Sequence, residues 1–324
     1  MTKISKQVST IFISVLALLG IGAFIHYTQG IHLDLLDRLS VAKREEDGDF
    51  EFRIYSNNVR YSGARKRQPG EQPWSDRKQG VVDAIKSRDL QYPTLVGLQE
   101  CLYNQLDDVL AGLNDGNDDE WVHYGIGRDD GNKAGEYSPI IYKKKEWKLL
   151  NSTTKWLSAT PDKPSIYPGA ATKRIVTMTT LEHISSGKTV NYFNTHFDQK
   201  SADARKFSAN QILTYIKEIP NDFHTFLSGD FNSLDTDISY NTLKTDLVDT
   251  NTVAYNLYNE NLFTYSGFAP DAQQSNIDFI WAPANSNSDG SKVRVIGHEV
   301  LDNLYNNYHF SDHRPITTHF KLWN

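Results

Sequence analysis

From Phe50 to its end, this 324-residue chain repeats one local pattern. A short apolar run of strand length closes on a cluster rich in Asn, Ser and Gly that carries an acid or an imidazole. TLVGLQ (94–99) runs into Glu100, the run at 189–194 reaches Asn194-Thr195-His196, and the run at 223–228 opens onto Gly229-Asp230-Phe231-Asn232. Asp278 sits in a fourth run, and Ser311-Asp312-His313 precedes the last one. Short apolar segments bounded by turn formers build sheets rather than helix bundles. A sheet whose strand ends share one rim would gather all these side chains into a single polar site.

The remaining periodicities fill in the frame. FRIYSNNV (52–59) alternates as a strand, and further strands are expected at 137–142, 174–181, 276–281, 293–300 and 316–322. Helices are expected at 80–90, stopped before Pro93, at 102–113, and at 203–219, which Pro220 ends. Strands far outnumber helices and the helices are scattered among them, which indicates two stacked mixed sheets flanked by helices rather than a doubly wound parallel fold. The turn-rich stretches 62–76, 114–118 and 158–173 fall between strands, and no period of 20 to 50 residues marks a repeat architecture. Residues 50–324 are read as one domain.

The amino terminus is different in kind. Between Lys6 and Asp34 there is no charged residue, and VSTIFISVLALLGIGAFI (8–25) is apolar or small throughout. Extended to Tyr27 or Ile31, it is just long enough for a membrane helix, which needs roughly 20 such residues. Residues 1–30 are read as a signal anchor or a cleaved signal peptide, with an inner-membrane anchor or a buried helix as the lesser readings, and 31–49 as a polar tether. Lys3 and Lys6 precede the segment, so the positive-inside rule sends the rest across the membrane. The folded part is expected to be lumenal or extracellular, and secreted if the segment is cleaved. Asn151-Ser152-Thr153 is the single glycosylation triplet and leans the same way.

Charge and cysteine exclude other classes. With 34 basic against 40 acidic residues and a net charge of −6, nothing advertises general affinity for nucleic acid. The one cysteine, Cys101, excludes an intrachain disulfide and any cysteine-built zinc cluster.

The clustered residues together offer what phosphate-ester hydrolysis requires. Attack on phosphorus loads negative charge onto oxygen, so such a site needs a hard cation held by carboxylates, with Glu100 and Asp312 as candidates. Magnesium suits an oxygen-rich site with few protein ligands; manganese or calcium are the alternatives. Asp230, with the Asn232 amide two residues on, can orient and deprotonate water. His196 and His313 can donate to phosphate oxygens when a carboxylate fixes the ring, and Glu136 and Asp278 are available for that.

The ordered set YSNNVR, GLQE, GEYSPIIY, KRIVT, NTHFD, SGDFNS, IDFIW and SDHRPI resembles the endonuclease/exonuclease/phosphatase superfamily over about residues 50–322. The resemblance implies a four-layer α/β sandwich with the site along one sheet edge. It implies that Asn58 and Glu100 form the metal-side pair, Asp230 and Asn232 the water-orienting pair, His313 with Asp278 and His196 with Glu136 the ring-holding pairs, and Asp312 the completion of the acidic cluster. Arg174, Arg60 and Asn232 are the expected substrate contacts. The substrate is a phosphoester in nucleic acid, a phospholipid headgroup or a small phosphorylated molecule, with the membrane as a further partner through the amino-terminal helix. A non-catalytic protein that keeps the sandwich and holds a phosphorylated ligand is the alternative.

Inositol phosphatases carry a Trp-Cys-Asp-Arg type segment near the carboxyl end, whereas Phe310-Ser311-Asp312-His313 stands here, which disfavours that subclass. Arg65-Lys66-Arg67, Lys143-Lys144-Lys145 and the aromatics Tyr61, Trp74 and Tyr137 are further candidate contacts, each with a solvated-loop or core reading beside it.

Overall fold

In β1 (Phe50–Asn58), alternate residues Phe50, Phe52 and Ile54 are buried while Glu51 and Arg53 between them are not. One face of this strand therefore points at a second sheet and the other at solvent or helix. In the computed structural model, which describes residues 48–116 and 120–323, β1 pairs in parallel with β2 (Thr94–Gln99) and antiparallel with β15 (Ile316–Leu322). The sheet extends through β12 (Val293–Val300) and β10 (Asn256–Tyr258) on one side and β4 (Ile140–Lys143) and β3 (Trp121–Tyr124) on the other, in the order β10-β12-β15-β1-β2-β4-β3.

The second sheet runs β5 (Trp147–Trp156), β6 (Ile175–His183), β7 (Thr189–His196), β8 (Thr225–Asp230), β11 (Asp278–Pro283), β9 (Leu247–Asp249), with only β7 and β8 parallel. A small hairpin, β13 (Leu304–Tyr305) and β14 (Tyr308–His309), leads into Ser311. The result is the expected pair of mixed sheets.

Three apolar clusters explain the stacking. Phe52, Ile54, Leu95, Tyr192, Phe226, Ile280 and Phe320 fill the space between the sheets. On the outer face of the seven-stranded sheet, Tyr55, Val96 and Leu98 meet α1 (Trp74–Asp89) and α2 (Tyr103–Leu113) through Val82, Ile85, Leu106 and Val109. On the outer face of the six-stranded sheet, Phe193, Leu227 and Trp281 meet α3 (Ala202–Glu218) and α4 (Ile238–Leu243) through Ile212, Leu213 and Leu243. A short helix, α5 (Thr250–Val253), follows β9. Each fully buried large side chain contributes about 1.5–3 kcal/mol.

The apolar filling stops before the strands do. Near the carboxyl end of β1 the space between the sheets turns polar: Gln99 Nε2 donates to Asn194 Oδ1 at 2.8 Å and Ser56 Oγ at 3.1 Å, and Tyr192 Oη lies 2.7 Å from Ser228 Oγ. Asn194 Nδ2 donates to the carbonyls of Leu98 and Pro139. Gly97 makes room for this belt, since a Cβ there would lie 2.5 Å from Tyr192 Oη. Buried and mutually bonded, these groups hold one inter-sheet register.

Several elements differ from expectation. α1 begins at Trp74, well ahead of residue 80, because Trp74, Arg77 and Gly80 all face inward. β5 has no strand-like apolar pattern; it is an edge strand with exposed positions, bulged between Leu149 and Asn151, and the glycosylation triplet lies on it with Asn151 exposed. β3, β9, β10 and α4 are too short to leave a periodic signal. Among the described residues no helix is long and apolar enough to cross a membrane, and the apolar stretch at 8–25 lies outside them.

Candidate active site

The rim beyond the polar belt collects the strand-end side chains from both sheets. Asn58 ends β1 and points inward, where its Nδ2 donates to Asp230 Oδ2 on the opposite sheet at 2.9 Å and to Glu100 Oε1 at 3.1 Å. Its Oδ1 accepts from the Arg60 backbone N–H at 2.9 Å. Asn58 thus stands on the Glu100 side, as a donor linking two carboxylates. Glu100 also accepts from the Tyr61 N–H at 3.0 Å, and Arg60 Nη1 lies 3.7 Å from Oε2. Burial works against the Glu100 charge, but the Tyr61 N–H, Arg60 and His313 outweigh it and hold its carboxyl below the usual range.

Backbone strain concentrates here. Among the described residues, the non-glycine positions with left-handed φ are asparagines except for two, Arg60 (φ 57°) and Glu100 (φ 56°), and both flank this site. Such a conformation costs an ordinary side chain roughly 1–2 kcal/mol, so the surrounding bonds must impose it. Asn232 (φ 46°) joins them at lower cost, its N–H donating to Asp230 Oδ1 at 2.9 Å.

Asp230, Asp278 and His313 form the tightest group: one ligand-type atom from each lies within 4.8 Å of the others. Pairing of β8 with β11 puts Asp278 directly opposite Asp230. His313 Nδ1 is 2.8 Å from Asp278 Oδ2, and its Nε2 is 3.7 Å from Asp230 Oδ2. Burial opposes charge on the ring, yet Asp278 and Asp230 overcome it and the His313 pKa is pushed up to about 10. Burial, reinforced by the Asp278 charge, pushes the Asp230 carboxyl up to about 7.

His196 completes the far side. Its Nε2 lies 3.1 Å from Asn232 Nδ2 and 3.3 Å from Asp230 Oδ2. Its expected partner Glu136 is close but not hydrogen-bonded: Nδ1 is 3.7 Å from Glu136 Oε2 and has no hydrogen-bond partner. Both Glu136 oxygens accept instead from Arg128, at 2.8 and 2.7 Å. Burial, with Arg174 and Arg128 adding to it, holds the His196 ring well below the ordinary histidine range and therefore neutral. Arg174 is buried beside them; its Nη2 donates to Gln199, its Nε is 3.8 Å from Asp198 Oδ2, and Nε and Nη1 have no hydrogen-bond partner. Buried guanidinium N–H groups left open in this way suit an anion.

Asp312 sits next to His313 with Oδ2 accepting from Gln68 Nε2 at 2.8 Å and Oδ1 buried without a partner. Burial raises its carboxyl. A buried, open carboxylate oxygen together with Glu100 is the chemistry that suits a hard divalent cation, so the residues present fit one. Glu100 and Asp312 fall outside the tight Asp230–Asp278–His313 group, whose members already pair with one another.

Three residues that the sequence reading did not single out hold this rim in place. Gln68 positions Asp312, Arg128 occupies Glu136, and Arg77 donates to the carbonyls of Val59, Arg60, Gln72 and Phe310 from a fully buried guanidinium. The other candidates separate. Lys143 pairs with Asp89 and Glu146, Trp74 Nε1 donates to Asp108, and Tyr137 Oη donates to the Asn132 carbonyl, all structural contacts. Arg65, Lys66 and Arg67 are exposed, and Tyr61 lies under Arg60.

Residues 58–313 match the model of the Endonuclease/Exonuclease/phosphatase family. The fold is similar to that of an endonuclease/exonuclease/phosphatase from Bacteroides vulgatus, with 32% identity and a TM-score of 0.74 over 84% of this chain and 99% of that one. It is similar to a mannosyl-6-phosphatase from Bacteroides thetaiotaomicron, with 27% identity and a TM-score of 0.73 over 83% and 99% of the two chains. At 17% identity and a TM-score of 0.58, over 83% and 98%, D. rerio TDP2 solved with a single-strand DNA product shares the fold. No curated protein matches the chain.

Proposed function

The chain belongs to the endonuclease/exonuclease/phosphatase family, and from that premise we propose that it is a magnesium-dependent hydrolase of phosphomonoesters carried on small molecules. The observation that carries this reading is the His313–Asp278 pair, with Asp230 set between His313 and His196. Glu100 and Asp312 would hold the divalent ion, which when bound would supply positive charge for the phosphoryl oxygens. Asp230, with a pKa near 7, accepts the proton of the attacking water, and Asn232 orients that water. His313, charged and fixed by Asp278, donates to a phosphoryl oxygen through Nε2. His196, neutral, faces the same space.

The monoester reading rests on charge. A terminal phosphate is a dianion, and the open N–H groups of Arg174 beside His196 supply a cationic wall for it. The similarity to a mannosyl-6-phosphatase at 27% identity supports a phosphorylated sugar as the type of substrate. The acidic overall charge gives no support for a long polyanion.

The test is a comparison of initial rates with magnesium on p-nitrophenyl phosphate, bis(p-nitrophenyl) phosphate, mannose 6-phosphate and single-stranded DNA. The monoesters are expected to turn over fastest. Faster cleavage of the diester or of DNA overturns the monoester reading. We further place the catalytic unit outside the cytoplasm, anchored through residues 1–30 or secreted after their removal; protease accessibility in intact cells tests this.

A further inference from the structure

A cavity of about 360 Å³ opens on the outer face of the seven-stranded sheet, beyond the last turn of α1, where β1, β15, β12 and β10 lie side by side. Its walls carry Arg53, Arg88, Glu299, His319 and Tyr258, with Leu90 at the mouth. Arg53 and Asn58 lie on one extended strand, so this cavity is ~16 Å from the catalytic rim along β1 and on the opposite face of the sheet. A small substrate cannot reach both.

The charge in it is not balanced from within. Arg88 Nη2 pairs with Glu299 at 2.9 Å, and His319 Nε2 lies 2.9 Å from Glu51. Arg53 donates to the neutral amide of Gln91 at 3.3 Å. Among the lining residues one carboxylate, Glu299, therefore faces two guanidiniums, and the Nε–H groups of Arg53 and Arg88 are both buried without a hydrogen-bond partner. Burial and the Arg88 charge together hold the Arg53 guanidinium below the ordinary arginine range, as expected of like charges that share one cavity. The mouth is apolar by contrast: Tyr258 is 54% exposed and Leu90 84% exposed. An exposed tyrosine lining the same cavity as two guanidiniums matches a ligand with a ring body and an anionic head.

We propose that this cavity is a second, non-catalytic binding site for a small phosphorylated ring compound of monosaccharide-phosphate size, its phosphate on Arg53 and Arg88 and its ring against Tyr258. The volume is in the range of small-molecule sites.

Calorimetric titration of the full chain carrying His196→Ala, His313→Ala and Arg174→Gln, without magnesium, strips the catalytic rim of its phosphate donors so that the readout reports the second cavity. Glucose 6-phosphate, glucose and inorganic phosphate serve as probes. Glucose 6-phosphate is expected to bind more tightly than either other probe. Loss of one charge-assisted contact in Arg53→Gln or Arg88→Gln is expected to weaken it by ~10-fold or more. Glu299→Gln, which removes the competing carboxylate, is expected to tighten it, an effect that a damaged fold would not give. In the chain with both histidines and Arg174 intact, these three substitutions should leave turnover unchanged. Absence of binding, binding insensitive to Arg53→Gln and Arg88→Gln, or inorganic phosphate binding as tightly as glucose 6-phosphate overturns the proposal. None of these outcomes depends on whether the catalytic rim hydrolyses a monoester.

Discussion

His313 turns Nδ1 to Asp278 Oδ2 at 2.8 Å, and this fixes which of its two nitrogens faces Asp230 at the rim. Nε2 is left toward Asp230, and the ring is charged at neutral pH because two carboxylates outweigh its burial. Asp278→Asn keeps the shape and removes the charge. It is expected to lower kcat by about 10²-fold or more with little change in KM, as for other transition-state contacts. Steady-state kinetics on a phosphomonoester checks it.

Arg174 should act on binding as well as on rate. Arg174 is close enough to His196 to help hold that ring neutral, and its Nε and Nη1 have no hydrogen-bond partner, so Arg174→Gln removes cationic charge that a phosphate at the rim would meet. The expected outcome is a fall in kcat/KM of ~10- to 100-fold, in which KM rises. Substrate-concentration series with the two proteins separate the effects.

Gly97 is a packing requirement of the polar belt. A methyl group there would lie 2.5 Å from Tyr192 Oη and 2.7 Å from Ser228 Oγ, so the bonds that join the sheets must shift. Gly97→Ala is expected to destabilise by about 1–3 kcal/mol. Because the belt lies directly beneath Asn58 and Asp230, activity should fall with it; denaturant unfolding and initial rates on the same samples check both.

His298 makes stability depend on pH. It is buried between the Thr250 and Thr318 hydroxyls, each at 3.0 Å, and burial pushes its pKa down to about 4. The unfolded chain protonates this ring near pH 6.5 and the folded chain does not, so stability is lost as pH falls from about 6.5 toward 4. The loss at pH 5 is on the order of 2 kcal/mol from this group. His183, also pushed down to about 4 by burial, adds in the same direction. Unfolding midpoints at pH 7 and pH 5 test this, with His298→Gln flattening the difference.

The sheets and the strand-end residues were legible because both write themselves into short sequence intervals. TLVGLQ followed by Glu100, or SGD followed by Phe231-Asn232, shows a buried strand and the turn that ends it within a few positions. What was not legible depends on contacts made across the sequence. Arg128 claims Glu136 from the other arm of a loop, so the expected Glu136–His196 hydrogen bond is absent even though the two lie 3.7 Å apart. Gln68 reaches Asp312 across 244 positions, and no periodicity marks a glutamine in a turn-rich loop. β5 leaves no period-2 signal because it is an edge strand with most of its positions exposed or half-exposed, so too few of its residues are buried to mark a face. The start of α1 at Trp74 was hidden by the polar run Ser75-Asp76-Arg77, of which only Arg77 turns inward.

Asp230 as the base beside an ion held by Glu100 and Asp312 is tested most directly by one measurement: turnover of p-nitrophenyl phosphate by the full chain and by Asp230→Asn, each stripped with a chelator and then returned to magnesium. The unsubstituted chain should lose activity with the chelator and regain it with magnesium, while Asp230→Asn should stay at least about 10²-fold lower throughout. Undiminished turnover in the chelator, or magnesium-restored turnover in Asp230→Asn equal to that of the unsubstituted chain, would contradict it.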